Sequence, residues 1–99
     1  MIAHQGENVI IGSVITAMEN GFRIDDYNIC CVISNVQGRE VLRIEGEDIV
    51  VGAEQNAIAC VIPASQTENM KGLYLVSFEF YLGDEKVHSN EVEQLTIIE

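Results

Sequence analysis

Apolar and polar residues alternate along much of this chain at the two-residue period of a strand, not the 3.6-residue period of a helix. The clearest case runs from Gly72 to Leu82. Tyr74, Val76, Phe78, Phe80 and Leu82 share one face, and Ser77 and Glu79 share the other. Asn8 to Ala17, rich in Val and Ile, predicts a first strand, closed by the tight-turn pair Asn20-Gly21. Phe22 to Ile24 reads as a short extended piece before the Asp25-Asp26 turn. Asn28 to Ser34 predicts a strand with Ile29, Cys31 and Ile33 on one face and Cys30 and Val32 on the other. Two apolar faces suit a central strand, or one near a sheet edge covered by a loop.

The turn Asn35-Val36-Gln37-Gly38 leads into a returning strand, Arg39 to Ile44, in which Val41 stands among polar neighbours. After the acidic turn Glu45 to Asp48 come a short strand, Ile49 to Val51, and a longer one, Asn56 to Ile62. The longer strand sets Ala57, Ala59 and Val61 against Ile58, Cys60 and Ile62. Pro63 ends it, having no amide hydrogen for a ladder bond. Ser65-Gln66-Thr67-Glu68 matches a capping box for one turn of helix. A turn at Gly83 to Lys86 precedes the last strand, Val87 to Ile98, expected to bulge or break near Ser89-Asn90 and to contribute Val92, Leu95 and Ile97 to the core.

About seven short strands with almost no helix predict an all-β domain, and two antiparallel sheets packed face to face is the common solution at this length. The order Thr67 to Met70, Lys71-Gly72-Leu73-Tyr74, then a long alternating strand is how immunoglobulin-like sandwiches enter a late core strand. Gly72 then supplies the turn, and Tyr74 reads as a tyrosine corner whose hydroxyl bonds to backbone just upstream. The other reading of Tyr74 is an aromatic ligand contact. Tyr81 points away from the Phe78/Phe80 face. With Leu73 and Leu75 it forms a candidate contact surface, unless a loop covers it.

The chain has 99 residues and 47% hydrophobic content, the size of one domain with a real core, of which residues 1–7 are expected to be a mobile N-terminus. Sixteen acidic residues against five basic ones give a net charge of −11, which argues against nucleic acid and anionic membranes as partners. Cys30, Cys31 and Cys60 are an odd set with an adjacent pair, so they predict reduced apolar fillers, with at most one of the neighbours able to meet Cys60. His4 and His88 read as surface residues, and no His or Cys pair has metal-ligand spacing. Asp25-Asp26 and Glu45/Glu47/Asp48 are candidate calcium turns, although the second lacks EF-hand order. No buried carboxylate pair or activated nucleophile is visible in the pattern, so neither a catalytic role nor a cofactor is expected. The start lacks a basic segment, and the apolar run Val9-Ile10-Ile11 is too short for a signal peptide. Synthesis in the cytosol is the expectation.

The order of elements resembles the N-terminal domain of phage baseplate upper proteins and related prophage tail proteins. The resemblance spans roughly residues 8 to 98. It rests on the strand ending near Asn20-Gly21, the Asp25-Asp26 turn, the Ile29-to-Ile33 strand, Gln37-Gly38, the Ala57-to-Ile62 strand, the Thr67-to-Tyr74 entry and the late hairpin with Gly83-Asp84 at its tip. It implies an immunoglobulin-like sandwich without catalytic residues. It further implies a structural module that contacts copies of itself or other tail proteins in a virion. A small ligand- or carbohydrate-binding module is the alternative, with Tyr27 or Tyr81 as its aromatic platform. The absence of Trp counts against it.

Overall fold

A computed structural model describes residues 1–15, 23–52 and 56–99, with the side chain of Val92 left aside. The expected Asn20-Gly21 turn lies outside the described residues. Eight strands are described: β1 (Ile2–His4), β2 (Val9–Val14), β3 (Asn28–Asn35), β4 (Glu40–Ile44), β5 (Ile49–Gly52), β6 (Ala57–Ile62), β7 (Gly72–Leu82) and β8 (Glu85–Ile98). One helical turn, α1 (Ala64–Thr67), joins β6 to β7.

The strands form a five-stranded sheet, β1-β8-β7-β3-β4, and a three-stranded sheet, β2-β6-β5. This division is that of an immunoglobulin-like sandwich. Strands two, five and six make one layer, and strands three, four, seven and eight make the other. The fold expected from the alternation is therefore present, with one strand more than the pattern showed. β1 adds to the edge of β8 in parallel, with Ile2 opposite Thr96 and His4 opposite Ile98; the other pairings are antiparallel.

The expectation of a mobile tail over residues 1–7 is thus corrected. Three residues are too few to show a period, and β1 is ordered by what it docks on. The Thr96 amide donates to the Met1 carbonyl at 2.9 Å, and the Gln5 amide to the Ile98 carbonyl at 2.7 Å. The N-terminal ammonium also lies 3.3 Å from the Glu93 carboxylate.

The core lies between the layers. β7 supplies Val76, Phe78 and Phe80, all fully buried, against Ile11, Cys60 and Ile62 of the three-stranded sheet. In antibody domains the second residue after the corner tyrosine is half of a cross-sheet disulfide. Val76 stands there instead, and the three cysteines are free and buried. Of the adjacent pair, Cys31 faces inward, and the neighbouring Cys60 thiol together with burial pushes the Cys31 thiol well up. Cys30 lies on the outer face of the same sheet.

Two further expectations change. The register of β7 with β8 skips positions 87 and 92, and Ser89 and Asn90 themselves are paired, opposite Glu79 and Phe78. The helical turn has no Ser65 capping box. Pro63 occupies the cap position, and the Ala64 amide donates to Oδ1 of distant Asn8 at 2.8 Å. Buried Thr67 donates its hydroxyl to the Glu7 carbonyl at 2.7 Å. Tertiary partners thus replace the local motif.

Removing residues 1–4 is expected to lower the unfolding free energy by about 2 kcal/mol, through the lost ladder bonds to β8. Urea denaturation of the truncated and full chains measures it, and equal stabilities would mean that β1 is not docked in solution.

Candidate functional site

At the entry to β7 the sequence folds through a glycine that no other residue replaces cheaply. Gly72 has φ +105°, a region closed to side chains, while a Cβ there would meet nothing. The requirement is therefore on the backbone and not on space. Two residues on, the Tyr74 hydroxyl donates to the Lys71 carbonyl at 3.2 Å and accepts from the Lys71 amide at 3.0 Å. Both bonds return to the backbone of one residue upstream. They pin the turn to the strand, and the ring packs against the core cluster.

The candidate contact surface of Leu73, Leu75 and Tyr81 is not one surface. All three lie on the outer face of β7, but Leu75 and Tyr81 are six residues, about 20 Å, apart along the strand. Ser77 and Glu79 lie between them. Leu73 is exposed, whereas Leu75 and Tyr81 are half-buried.

Tyr81 instead belongs to a polar network that spans four strands. Its hydroxyl donates to Glu79 Oε1 at 2.8 Å. Arg43 on β4 pairs with Glu40 at 2.7 Å and with Glu79 at 3.2 Å, and Lys86 on β8 reaches Glu79 at 3.5 Å. Arg43 also donates to Tyr81 Oη at 3.4 Å and to Cys30 Sγ at 2.9 Å. The bonds from Glu40 and Tyr81 raise the guanidinium further above its usual value. Burial pushes the Glu79 carboxyl up, but the Tyr81 hydroxyl and the Lys86 and Arg43 charges outweigh it and hold the group below the carboxylate range. Burial likewise raises the Cys30 thiol, against the pull of Arg43. The arrangement is a clamp across the sheet. Its cation is taken up by carboxylates and its thiol stays protonated, so it holds no activated nucleophile.

Beside it a cleft of about 710 Å³ opens between β3, the β7–β8 turn and β5. Tyr27, Tyr81, Asn28, Glu45 and Asp84 line it over an apolar floor of Ile29, Ile49 and Val51. The Tyr27 ring packs edge-on against Phe80, with centroids 6.1 Å apart. The acidic turns hold no cation cluster. Among the described residues no group of three or more His, Cys, Asp or Glu side chains could take a metal ion. His4 and His88 sit on the adjacent strands β1 and β8 but at opposite ends of the pairing: His4 stands opposite Ile98, against the Glu99 carbonyl at 3.0 Å, and His88 lies near the start of β8, against Phe80.

The most unusual surface is one the pattern did not single out as a site. β2, β5 and β6 carry no charge, and Ser13 is their one polar side chain. Alternation sends Val9, Ile11, Ile58, Cys60 and Ile62 into the core. The outward set is then Ile10, Gly12 and Val14 on β2, Ala57, Ala59 and Val61 on β6, and Val50 and Gly52 on β5. Ile10 is 65% exposed, Val14 58% and Val50 57%. Strands apolar on both sides are normally covered on both sides; here no described element covers the outer side. The signal was present in the sequence as runs without alternation: Val9-Ile10-Ile11, Ile49-Val50-Val51 and Ala57 to Ile62.

No protein-family model matches the chain, and no curated protein matches it. Among solved structures, it is similar to Drosophila OTK, extracellular domains 3-5, at 14% identity and a TM-score of 0.41, over 99% of this chain and 30% of that one. No helix among the described residues is long and apolar enough to cross a membrane.

Two outcomes are expected. Tyr74→Phe lowers stability by about 1–2 kcal/mol, since the Lys71 peptide loses its partner; chemical denaturation reads this directly. The lowered Glu79 carboxyl favours the folded state once ionised. Its contribution is complete above the unfolded value, about 4.3, and is lost as pH falls through the lower folded value. Glu79→Gln is therefore less stable than the parent at pH 7, and the gap closes below pH 4. A gap that is constant with pH would show that the carboxylate charge is not what the clamp uses.

Proposed function

We propose that this domain is a non-catalytic interaction module that works through protein–protein contacts. The setting is the one the sequence resemblance implies, a phage or prophage tail particle, with itself or neighbouring tail proteins as partners. The observation that carries the interaction reading is the uncharged outer face of β2-β6-β5. In a chain of net charge −11, β2, β5 and β6 carry no carboxylate, and three large apolar side chains stand exposed on them. Contiguous exposed apolar surface of this kind marks an interaction site. The acidic remainder favours solubility before assembly and disfavours nucleic acid and anionic membranes. The raised Cys30 and Cys31 thiols and the carboxylate-paired Arg43 support a role without catalysis.

A second reading has one specific observation behind it. Tyr27 and Tyr81, the two aromatic platforms considered for a carbohydrate module, line the same cleft beside polar loops. Against it, the Tyr81 hydroxyl is already bonded to Glu79 and Arg43.

Replacing Ile10, Val14 and Val50 together by Thr keeps strand propensity and removes the apolar surface. The variant is expected to unfold within a few degrees of the parent and to lose most of the parent's Nile red emission. Undiminished emission would overturn the reading, because the dye would then be reporting some other surface. A collapse in stability would overturn it too, because the face would then be buried within the chain.

A further inference from the structure

We infer that the uncharged face of the three-stranded sheet is covered by the same face of a second copy, in a two-fold dimer whose axis runs along β6. This rests on the interaction reading above and names its partner. The ground for it is the strand register. Gly12, Ala59 and Val50 form one row across the sheet, and Val14, Ala57 and Gly52 form the next. A two-fold rotation about a line along β6, in the plane between two such faces, lays β2 of one copy over β5 of the other. It keeps each row over itself. Val50 then stands over the partner's Gly12, and Val14 over the partner's Gly52. In each row a valine meets a position without a side chain, twice over by symmetry, while Ala59 and Ala57 meet their own copies on the axis. A surface that complements itself under a two-fold is what an isologous dimer requires. Small central residues also let the sheets approach closely, in the face-to-face packing that sheets adopt.

Charge and area set the strength. The rows through Gly12 and Val14 bring no charge into contact with themselves; the third row, Ile10 and Val61, borders Asp48 just before β5, which stays at the rim. The rest of each copy carries −11, so the pair is opposed by long-range repulsion that salt screens. Three strands of this length span roughly 300 Å² per copy, well short of the approximately 800 Å² per partner of a stable complex. The dimer is accordingly weak, with Kd on the order of 0.1–1 mM, and its strength rises with salt.

Sedimentation velocity of the full chain from 10 µM to 1 mM, in 50 mM and 500 mM NaCl, tests this. A reversible monomer–dimer equilibrium is expected, tightened at the higher salt. Ala59→Glu sets two like charges against each other on the axis and weakens it at least tenfold. Gly12→Val fills the hollow under Val50 without adding charge and does the same; its Cβ would sit 3.5 Å from the Ile58 carbonyl, an ordinary contact, so the fold is kept, as circular dichroism would verify. Leu73→Asp on the other sheet leaves the equilibrium unchanged. A monomer at 1 mM in both salts would overturn the dimer, as would association that survives Ala59→Glu or weakens with salt. Neither result would touch the dye experiment, so an interaction module with a different partner would still stand.

Discussion

The inward face of β7 is the constraint on which the rest of the domain depends. Its alternation places Val76, Phe78 and Phe80 at full burial, and β3 and β8 pair with it on either side along nearly its whole length. A slip of one residue would carry those side chains to solvent and bring Ser77 and Glu79 inside. The Tyr74 hydroxyl fixes the start of the strand to the Lys71 peptide, so the register is set at its entry. No covalent link between the layers assists. The cysteines are free, and the two layers meet chiefly through apolar contact, worth about 25 cal/mol per Å² buried.

That economy divides the labour between the two sheets. The five-stranded sheet carries the outward polar network, with Arg43, Glu79, Lys86 and Tyr81 bonded across four strands. This network covers the Cys30 sulfur and satisfies the outer face within the chain. On the three-stranded sheet no such network is seen among the described residues, and its outward residues are Val, Ile, Ala and Gly. That contrast is the ground for the interaction module proposed above.

The fold was readable because its main signal is local. The period of Gly72 to Leu82, the turn before it and the break at Pro63 each follow from neighbouring residues. What escaped detection is non-local. β1 is a strand only because β8 offers it an edge. The helical turn is capped by Asn8, 56 residues away, and not by Ser65. The grouping of Leu73 and Leu75 with Tyr81 fails for a related reason: alternation gives the face but not the distance along it. The open face of β2-β6-β5 was legible in part. Both apolar sides of Ala57 to Ile62 were visible, but a sequence does not say whether a doubly apolar strand is covered within its own chain, and only the topology places β6 between two short strands in a sheet of three among the described residues.

The most direct test of the open face as an interface is residue by residue. Amide ¹H–¹⁵N spectra recorded from dilute to millimolar protein would map any surface that meets another. Concentration-dependent shifts are expected at Gly12, Ala57, Ala59 and Val61, with Leu73, Ser77 and Glu79 still. Shifts confined to the five-stranded sheet would place the interface on the opposite face and contradict the assignment.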